Sequence, residues 1–437
     1  MISLPDSTPK PLRPLLQHGP ILLGLLALVF AVFGRVCTGD IWSPVDFEIL
    51  VDAHHLCQDP WAMFKHVGAW FSQPLLQQVF LAEYRAFGME YGHYIAVNLL
   101  LHALNAFVVY MLVNMLFYRP RLALLAAVLF ALGVGQFGRN LLSIAGQESL
   151  LLAALHLLVL YLFIRNDFRR DGRITAPYFL LGILIYSLTG LTKASTLSLL
   201  GCLVAYKAFF YHARNRRPIF SNDLLIFLLL GLLFQIGQSR WGFRMPTVVS
   251  ESDGHLIYTL KSVMNVFRYL NLMVFPLQES SLLRDASEAV QALFRFRTVI
   301  RALLTVYVLS FSFFGFVFGS RPLRFFIAWT FITLLPLSAQ SPGTDWLNIT
   351  HLYLTSLGFC VVLASGAVGC CNLLGVHRWR QLVPLLVPAL FAITAVSLTY
   401  RLDNRNRLAS QRPAIQELRQ ETVERIVARP VHLRQTR

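Results

Sequence analysis

Apolar residues in this chain run in long unbroken blocks with short polar breaks, a pattern that predicts helices built in lipid rather than amphipathic helices around a soluble core. Crossing about 30 Å of hydrocarbon takes about 20 apolar residues in a helix. Blocks of that order predict spans at 20–36, 93–117, 122–138, 141–164, 177–191, 194–211, 223–239, 298–320, 324–340, 351–374 and 381–400. The shorter blocks need tilt or flanking residues to complete a crossing. One large polar interruption, 37–92, separates the first two spans, and its acids gather early as Asp46, Glu48 and Asp52. Between 240 and 297, Tyr258 to Leu277 is apolar enough to enter a membrane yet carries Lys261, Asn265, Arg268 and Asn271, which predicts a re-entrant or interfacial helix.

Composition agrees with the pattern. Of 437 residues, 56% are hydrophobic and 14% charged, and mean hydropathy is +0.58, more apolar side chain than a soluble core absorbs. The fold class expected is an all-α polytopic membrane protein of about eleven transmembrane helices with a large first extracytoplasmic loop. Its parts are a cytoplasmic N-terminal segment (1–19), a transmembrane domain (20–400) and a basic, partly helical C-terminal tail (401–437). Lys10 and Arg13 precede the first span and no small-residue cleavage site follows it, so that span reads as a retained anchor.

Charge sets the orientation. Arg119 and Arg121, Arg165 to Arg173, and Arg214, Arg216 and Arg217 all follow even-numbered spans, and basic loops stay in the cytoplasm. Residues 37–92 are then outside, and the expected location is a bacterial inner (cell) membrane. Treating 240–297 as re-entrant keeps Arg321, Arg324, His377, Arg378 and Arg380 inside and puts the tail outside, although its nine arginines against four acids argue for the inside. The net charge of +16 sits in short loops and that tail, where topogenesis and anionic headgroups account for it. No stretch interleaves basic and aromatic residues as a base-stacking platform does, which excludes nucleic acid as a partner.

Candidate chemistry is concentrated at the outer edge. Asp46 and Glu48 are placed to act on a lipid-borne substrate, against the simpler reading of acids that keep a capping loop soluble. No cofactor is called for. Asp46 and Glu48 could hold a divalent metal, but two carboxylates without further oxygen ligands make a poor site, and no metal residues are assigned. Asn98, His102 and Asn105 share one face of the second span, lining a polar cavity or bonding to neighbouring helices. Arg139, Lys193 and His351 lie near outer turns, where a cation could grip a phosphate or simply anchor the interface. Cys37 and Cys57 share the outer loop, where an oxidising compartment permits a bridge or leaves two thiols.

The run Tyr91 to Asn105 with Val109-Tyr110, then Leu129 to Leu132, Thr192-Lys193-Ala194, Leu334-Leu335-Pro336 and Leu352 to Gly358 resembles, in order, the motifs of the GT-C membrane glycosyltransferases. The likeness is strongest to the protein O-mannosyltransferase-like, tetratricopeptide-associated branch. That resemblance implies a catalytic first outer loop and a polyprenyl-phosphate-linked sugar as donor. It implies a protein or glycan acceptor outside the cytoplasm, with Asp46 as general base and Glu48 as its substitute or as a metal ligand. Arg139, Lys193 and His351 would meet the donor phosphate.

Several charged positions depart from that pattern. Val45-Asp46 stands where the family has two adjacent acids, Gln73-Pro74-Leu75 where it has Arg-Pro-Leu, Gly133 to Arg139 where it has a His-Pro segment with a following acid, and His351 where it has arginine. The tail helix at 411–428 is too short for a tetratricopeptide array, at about 34 residues per repeat. The alternative is therefore a non-catalytic GT-C-fold scaffold or assembly partner in a membrane complex. A transporter would rest only on the intramembrane polar residues.

Overall fold

In hydrocarbon no water satisfies the backbone, so a spanning segment must bond its own N–H and C=O groups, and helices do so. A computed structural model describes residues 18–59, 74–133, 140–170, 176–190, 196–212, 219–240, 255–274, 297–338, 352–373 and 379–428, and these form fifteen α-helices with no strand among them. They are α1 (Gly19–Phe33), α2 (Pro44–Gln58), α3 (Pro74–Phe87), α4 (Tyr91–Phe117), α5 (Pro120–Leu132), α6 (Gln147–Arg170), α7 (Pro177–Gly190) and α8 (Thr196–Tyr206). The remainder are α9 (Asn222–Arg240), α10 (His255–Val274), α11 (Arg297–Phe318), α12 (Arg321–Ser338), α13 (Tyr353–Leu373), α14 (Trp379–Ser410) and α15 (Pro413–Ala428). Prolines open α2, α3, α5, α7 and α15, where a missing N–H costs nothing and the fixed φ suits the first turn. Between α4 and α5 the chain reverses through Tyr118, held left-handed at φ 55°, and Pro120 restarts the helix.

Every predicted span contains a helix. Among the described residues, four segments, Gly19–Thr38, Tyr91–Phe117, Gln147–Phe168 and Leu386–Ser410, are long and apolar enough to cross by themselves; others, including Pro120–Leu132 and Tyr353–Gly369, are shorter apolar helices. The fourth predicted span starts later than expected, because 140–146 forms a turn ahead of Gln147. The last runs on past 400 to Ser410. Helix α4 is the bundle's centre, largely buried and packed against α1, α5 and α6. Helix α13 packs on α5 and α12, and α10, the predicted re-entrant segment, packs on α11 and α12 with Asn265 donating to the Ser338 carbonyl at 3.1 Å.

The tail lies at the same end of the bundle as the first loop. Helix α15 packs on α2, and Arg419 pairs with Asp40. Arg407 donates to the Thr38 hydroxyl at 2.6 Å and pairs with Asp403 at 3.0 Å. Tail arginines whose number argues for the opposite side are thus partly neutralised by acids at this end. Cys37 and Cys57 are both free thiols, so the open pairing is not made. Cys57 lies near the far end of α2, about 20 Å along the axis from its start at about 1.5 Å per residue.

Candidate functional site

Ser43 is extended, Pro44 opens α2, and Asp46 falls in the first turn, where the helix dipole favours a carboxylate. Asp46 is fully buried, and its Oδ1 accepts the backbone N–H of Ala145 at 3.0 Å. Glu48, two residues on, is exposed on the other side of the helix, so the two acids expected to work together are divided by the helical period. Glu48 instead shares a face with Asp52, one turn later. Burial, then the nearby Glu48 charge, pushes the Asp52 carboxyl up to about 6.

Helix α3 packs beside α2. The Tyr84 hydroxyl meets His54 Nδ1 at 3.2 Å, and Leu56 and Leu81 pack below. Glu83 is 8% exposed and accepts a hydrogen bond from Gln147 Nε2, while its Oε2 is buried with no hydrogen-bond partner. Burial pushes the Glu83 carboxyl up to about 7, against the lowering effect of the Gln147 bond.

Segment 140–147 joins these helices to the bundle. The Leu142 carbonyl accepts from the Trp42 indole at 2.8 Å and from the Tyr91 hydroxyl, and the Ser143 carbonyl accepts from Asn98 at 2.9 Å. Between α2, α3 and the start of α6 opens a small cleft of about 40 Å³. Asp52, Gln77 and Glu148 are its polar lining, and Ile49, Leu76, Phe80 and Ala145 are among its apolar walls.

The polar stripe of α4 faces protein. The Tyr353 hydroxyl meets His102 Nδ1 at 2.8 Å, His102 Nε2 meets the Ala131 carbonyl at 3.0 Å, and Asn105 donates to Tyr353 at 3.2 Å and to the Leu150 carbonyl at 3.0 Å. Asn98 reaches the 140–147 segment. All three are buried at helix junctions, where they supply the interhelical bonding.

Arg139, Lys193 and His351 lie outside the described residues. Among the described residues no three His, Cys, Asp or Glu side chains gather as metal ligands, so Asp46 and Glu48 gain no third ligand there. Asp52 and Glu148 in the cleft, and Glu83 beside it, are acids that the sequence pattern did not assign to the site. Glu83 carried a usable signal: Leu76, Phe80 and Glu83 fall on one buried helical face, and a lone acid on an apolar face is unusual.

No protein-family model matches the chain, and no curated protein matches it. By structure, the chain is similar to the archaeal oligosaccharyltransferase AglB from Archaeoglobus fulgidus in complex with an inhibitory peptide and a dolichol-phosphate, with 13% identity, a TM-score of 0.52, and 93% of this chain and 59% of that chain covered. The apo form of the Archaeoglobus fulgidus oligosaccharyltransferase gives 13% identity and a TM-score of 0.50, again over 93% of this chain and 59% of that chain. ArnT from Cupriavidus metallidurans in the apo state gives 13% identity and a TM-score of 0.48 over 90% of this chain and 77% of that chain. The chain spans about three fifths of the archaeal enzyme's length. At this identity the likeness concerns the fold alone, and that fold is the GT-C-like helical bundle of an integral membrane protein.

Proposed function

We propose that this protein is a GT-C-type membrane glycosyltransferase that moves a sugar from a polyprenyl-phosphate donor to an extracytoplasmic protein or glycan acceptor. One observation carries the reading: an acid-walled cleft, built by the first-loop helices and the start of α6, at the end of a GT-C-like bundle. The dolichol-phosphate and peptide bound by the archaeal relative support a lipid-linked donor and an acceptor for this chain. In this reading the protein lies in a bacterial inner membrane with the cleft outside, and the sequence resemblance favours the O-mannosyltransferase-like branch.

The chemistry is a single displacement. A carboxylate takes the proton of the acceptor hydroxyl as its oxygen bonds to the anomeric carbon, and the bond from that carbon to the lipid phosphate breaks. The phosphate leaves with the electron pair. General-base help of this kind is worth roughly 10²- to 10⁴-fold. Asp46 is the base that the family resemblance implies, although it is buried beneath Ala145. Asp52 lines the cleft with a carboxyl pushed up to about 6, ionised near neutrality but still basic enough to take a proton, and the geometry favours it. Arg139, Lys193 and His351 are assigned to the leaving phosphate, whose charge a cation stabilises.

A second reading, the non-catalytic scaffold or assembly partner, is favoured by the burial of Asp46 and its bond to a backbone N–H, a structural use of that acid. The test is transfer from polyprenyl-phosphate-linked sugars by purified protein in lipid nanodiscs. Transfer that falls at least 100-fold in D52N, with D46N less affected, supports a transferase with Asp52 as its base; the reverse order returns the base to Asp46. Full activity in both variants sinks both assignments, and absence of transfer from every donor favours the scaffold.

A further inference from the structure

Glu83 and Gln147 are joined by one hydrogen bond, from the amide nitrogen to one carboxyl oxygen. Each side chain leaves its other oxygen, Glu83 Oε2 and Gln147 Oε1, buried without a hydrogen-bond partner. Two acceptors in one joined pair lack a donor. A carboxylate gives neither atom relief, and an ionised acid that is 8% exposed bears the full desolvation penalty with a single N–H to offset it. A neutral carboxylic acid has an O–H to give, and an acid and a primary amide satisfy each other through a ring of two hydrogen bonds.

Among the described residues, the titratable groups facing Glu83 do not supply a compensating charge. Tyr84 and the exposed Arg85 are on its own helix, Arg85 on the far side. Tyr94 on α4 donates to the Gly88 carbonyl at 2.7 Å. On α2, His54 is engaged by Tyr84 and by Gln58 at 3.4 Å, Cys57 lies near Tyr84, and Asp46 is an acid; Glu148 on α6 is another. Glu83 extends the face of α3 whose Leu76 and Phe80 line the cleft, and Gln147 stands two residues after Ala145, whose N–H holds Asp46.

We infer that Glu83 is a positioning residue that carries a proton in the assembled site, latching α3 to the first turn of α6 through an acid–amide pair with Gln147. The latch fixes Ala145 and Glu148, which line the cleft, and with them the Asp46 contact. Its bearing on sugar transfer rests on the transferase reading; the latch itself does not.

The test uses full-length wild type, E83Q and E83L in nanodiscs, followed by infrared spectroscopy and thermal melting against pH. An acid whose folded value is raised from 4.5 to about 7 stabilises fully below 4.5, and its contribution is lost as pH rises to about 7. Wild type is therefore expected to melt progressively lower over that interval and then level off. E83Q, a neutral side chain able to form the same two-bond ring, is expected to melt close to wild type at the acid end and to lose the part of the slope between about 6 and 7. A buried carboxylic-acid carbonyl band, present in wild type at the acid end, should be missing in E83Q. E83L should melt lower at every pH. A wild-type spectrum without that band, or an E83Q protein with an unchanged slope between about 6 and 7, overturns the inference. These readouts need no sugar transfer, so they stand apart from the fate of the transferase reading. Where transfer is measured, E83Q should keep at least about half of the wild-type rate and E83L should lose most of it.

Discussion

Arg35, just past the end of α1, forms an ion pair with Asp403 of α14 at 3.0 Å, and this contact fixes the tail beside the first loop. Asp403 is 2% exposed and receives Arg407 as well, whereas both arginines remain partly in water. The consequence is topological. Cysteines placed at the exposed positions Glu48 and Glu421 are expected to react with a membrane-impermeant maleimide from the same side of intact cells. Labelling from opposite sides would reject this packing. D403A should cost only about 1 kcal/mol, because the arginines it releases already stand partly in water.

At the other end of α6 lies a different kind of ion pair. Lys207 is fully buried and reaches Asp167 and Asp223, each at 2.9 Å, so one cation ties α6, the turn after α8 and the first turn of α9. Removing one partner of a buried pair leaves charge uncompensated, at about 3–5 kcal/mol. K207M is expected to lower the melting temperature strongly. D223N should do less, since the Asp167 contact survives. Equal melting of wild type and K207M would show that the clamp contributes nothing.

The buried junction around Tyr353 gives a third expectation. Its hydroxyl serves His102 and Asn105 together, so Y353F strips a partner from two buried polar groups. Leaving such groups unsatisfied costs about 1–3 kcal/mol in proteins generally, and about 0.6 kcal/mol is an average for single hydrogen bonds inside membranes. Thermal melting in detergent should show a loss within that range. A loss that the double variant H102F/Y353F fails to change would place the energy in this contact rather than in the ring packing.

Much of the frame was legible in sequence because apolar run length is a direct consequence of bilayer thickness. Every predicted span holds a helix, and Pro120, Pro177 and Pro413 mark true helix starts. The cleft was far less legible. Period alone separates Asp46 from Glu48 by about 200° on a helix, so their division was available once α2 was read as a helix. Contacts such as Ala145 to Asp46, or Gln147 to Glu83, join segments far apart in the chain, and no local pattern encodes which acid meets which turn. Glu83 stands out as a lone acid on the apolar Leu76–Phe80 face, yet that signal does not name Gln147 as its partner.

Under the proposed transferase function, Asp52 makes opposite demands on stability and rate. Its folded value is raised from 3.8 to about 6, so protonation stabilises the fold, and that contribution disappears as pH rises toward about 6. A general base works only when ionised, so transfer should rise over the same interval and level above about 6. A pH–rate profile of the wild type should therefore show an acid limb near 6, and D52N should flatten that limb while lowering the rate. An acid limb that persists in D52N assigns the titration to another group.

Gly146 connects the cleft to the bundle by allowing the tightest backbone approach in the 140–147 turn. A Cβ at this position would fall 2.1 Å from the Asn140 carbonyl oxygen and within 2.6 Å of two further Asn140 backbone atoms, none of which can rotate away. G146A must therefore open the turn, and overpacking of this kind typically costs about 1–3 kcal/mol. The displacement falls between Ala145 and Gln147, the two residues that hold Asp46 and Glu83. Under the proposed transferase function, sugar transfer should consequently suffer beyond the loss of folded protein: after normalising for the folded fraction, the rate of G146A is expected to stay at least tenfold below wild type. Substitution at Gly24, where a Cβ meets nothing within 4 Å, is the matched control and should leave both melting and transfer unchanged. A normalised G146A rate equal to wild type would show that the turn holds the fold without setting the geometry of the cleft acids.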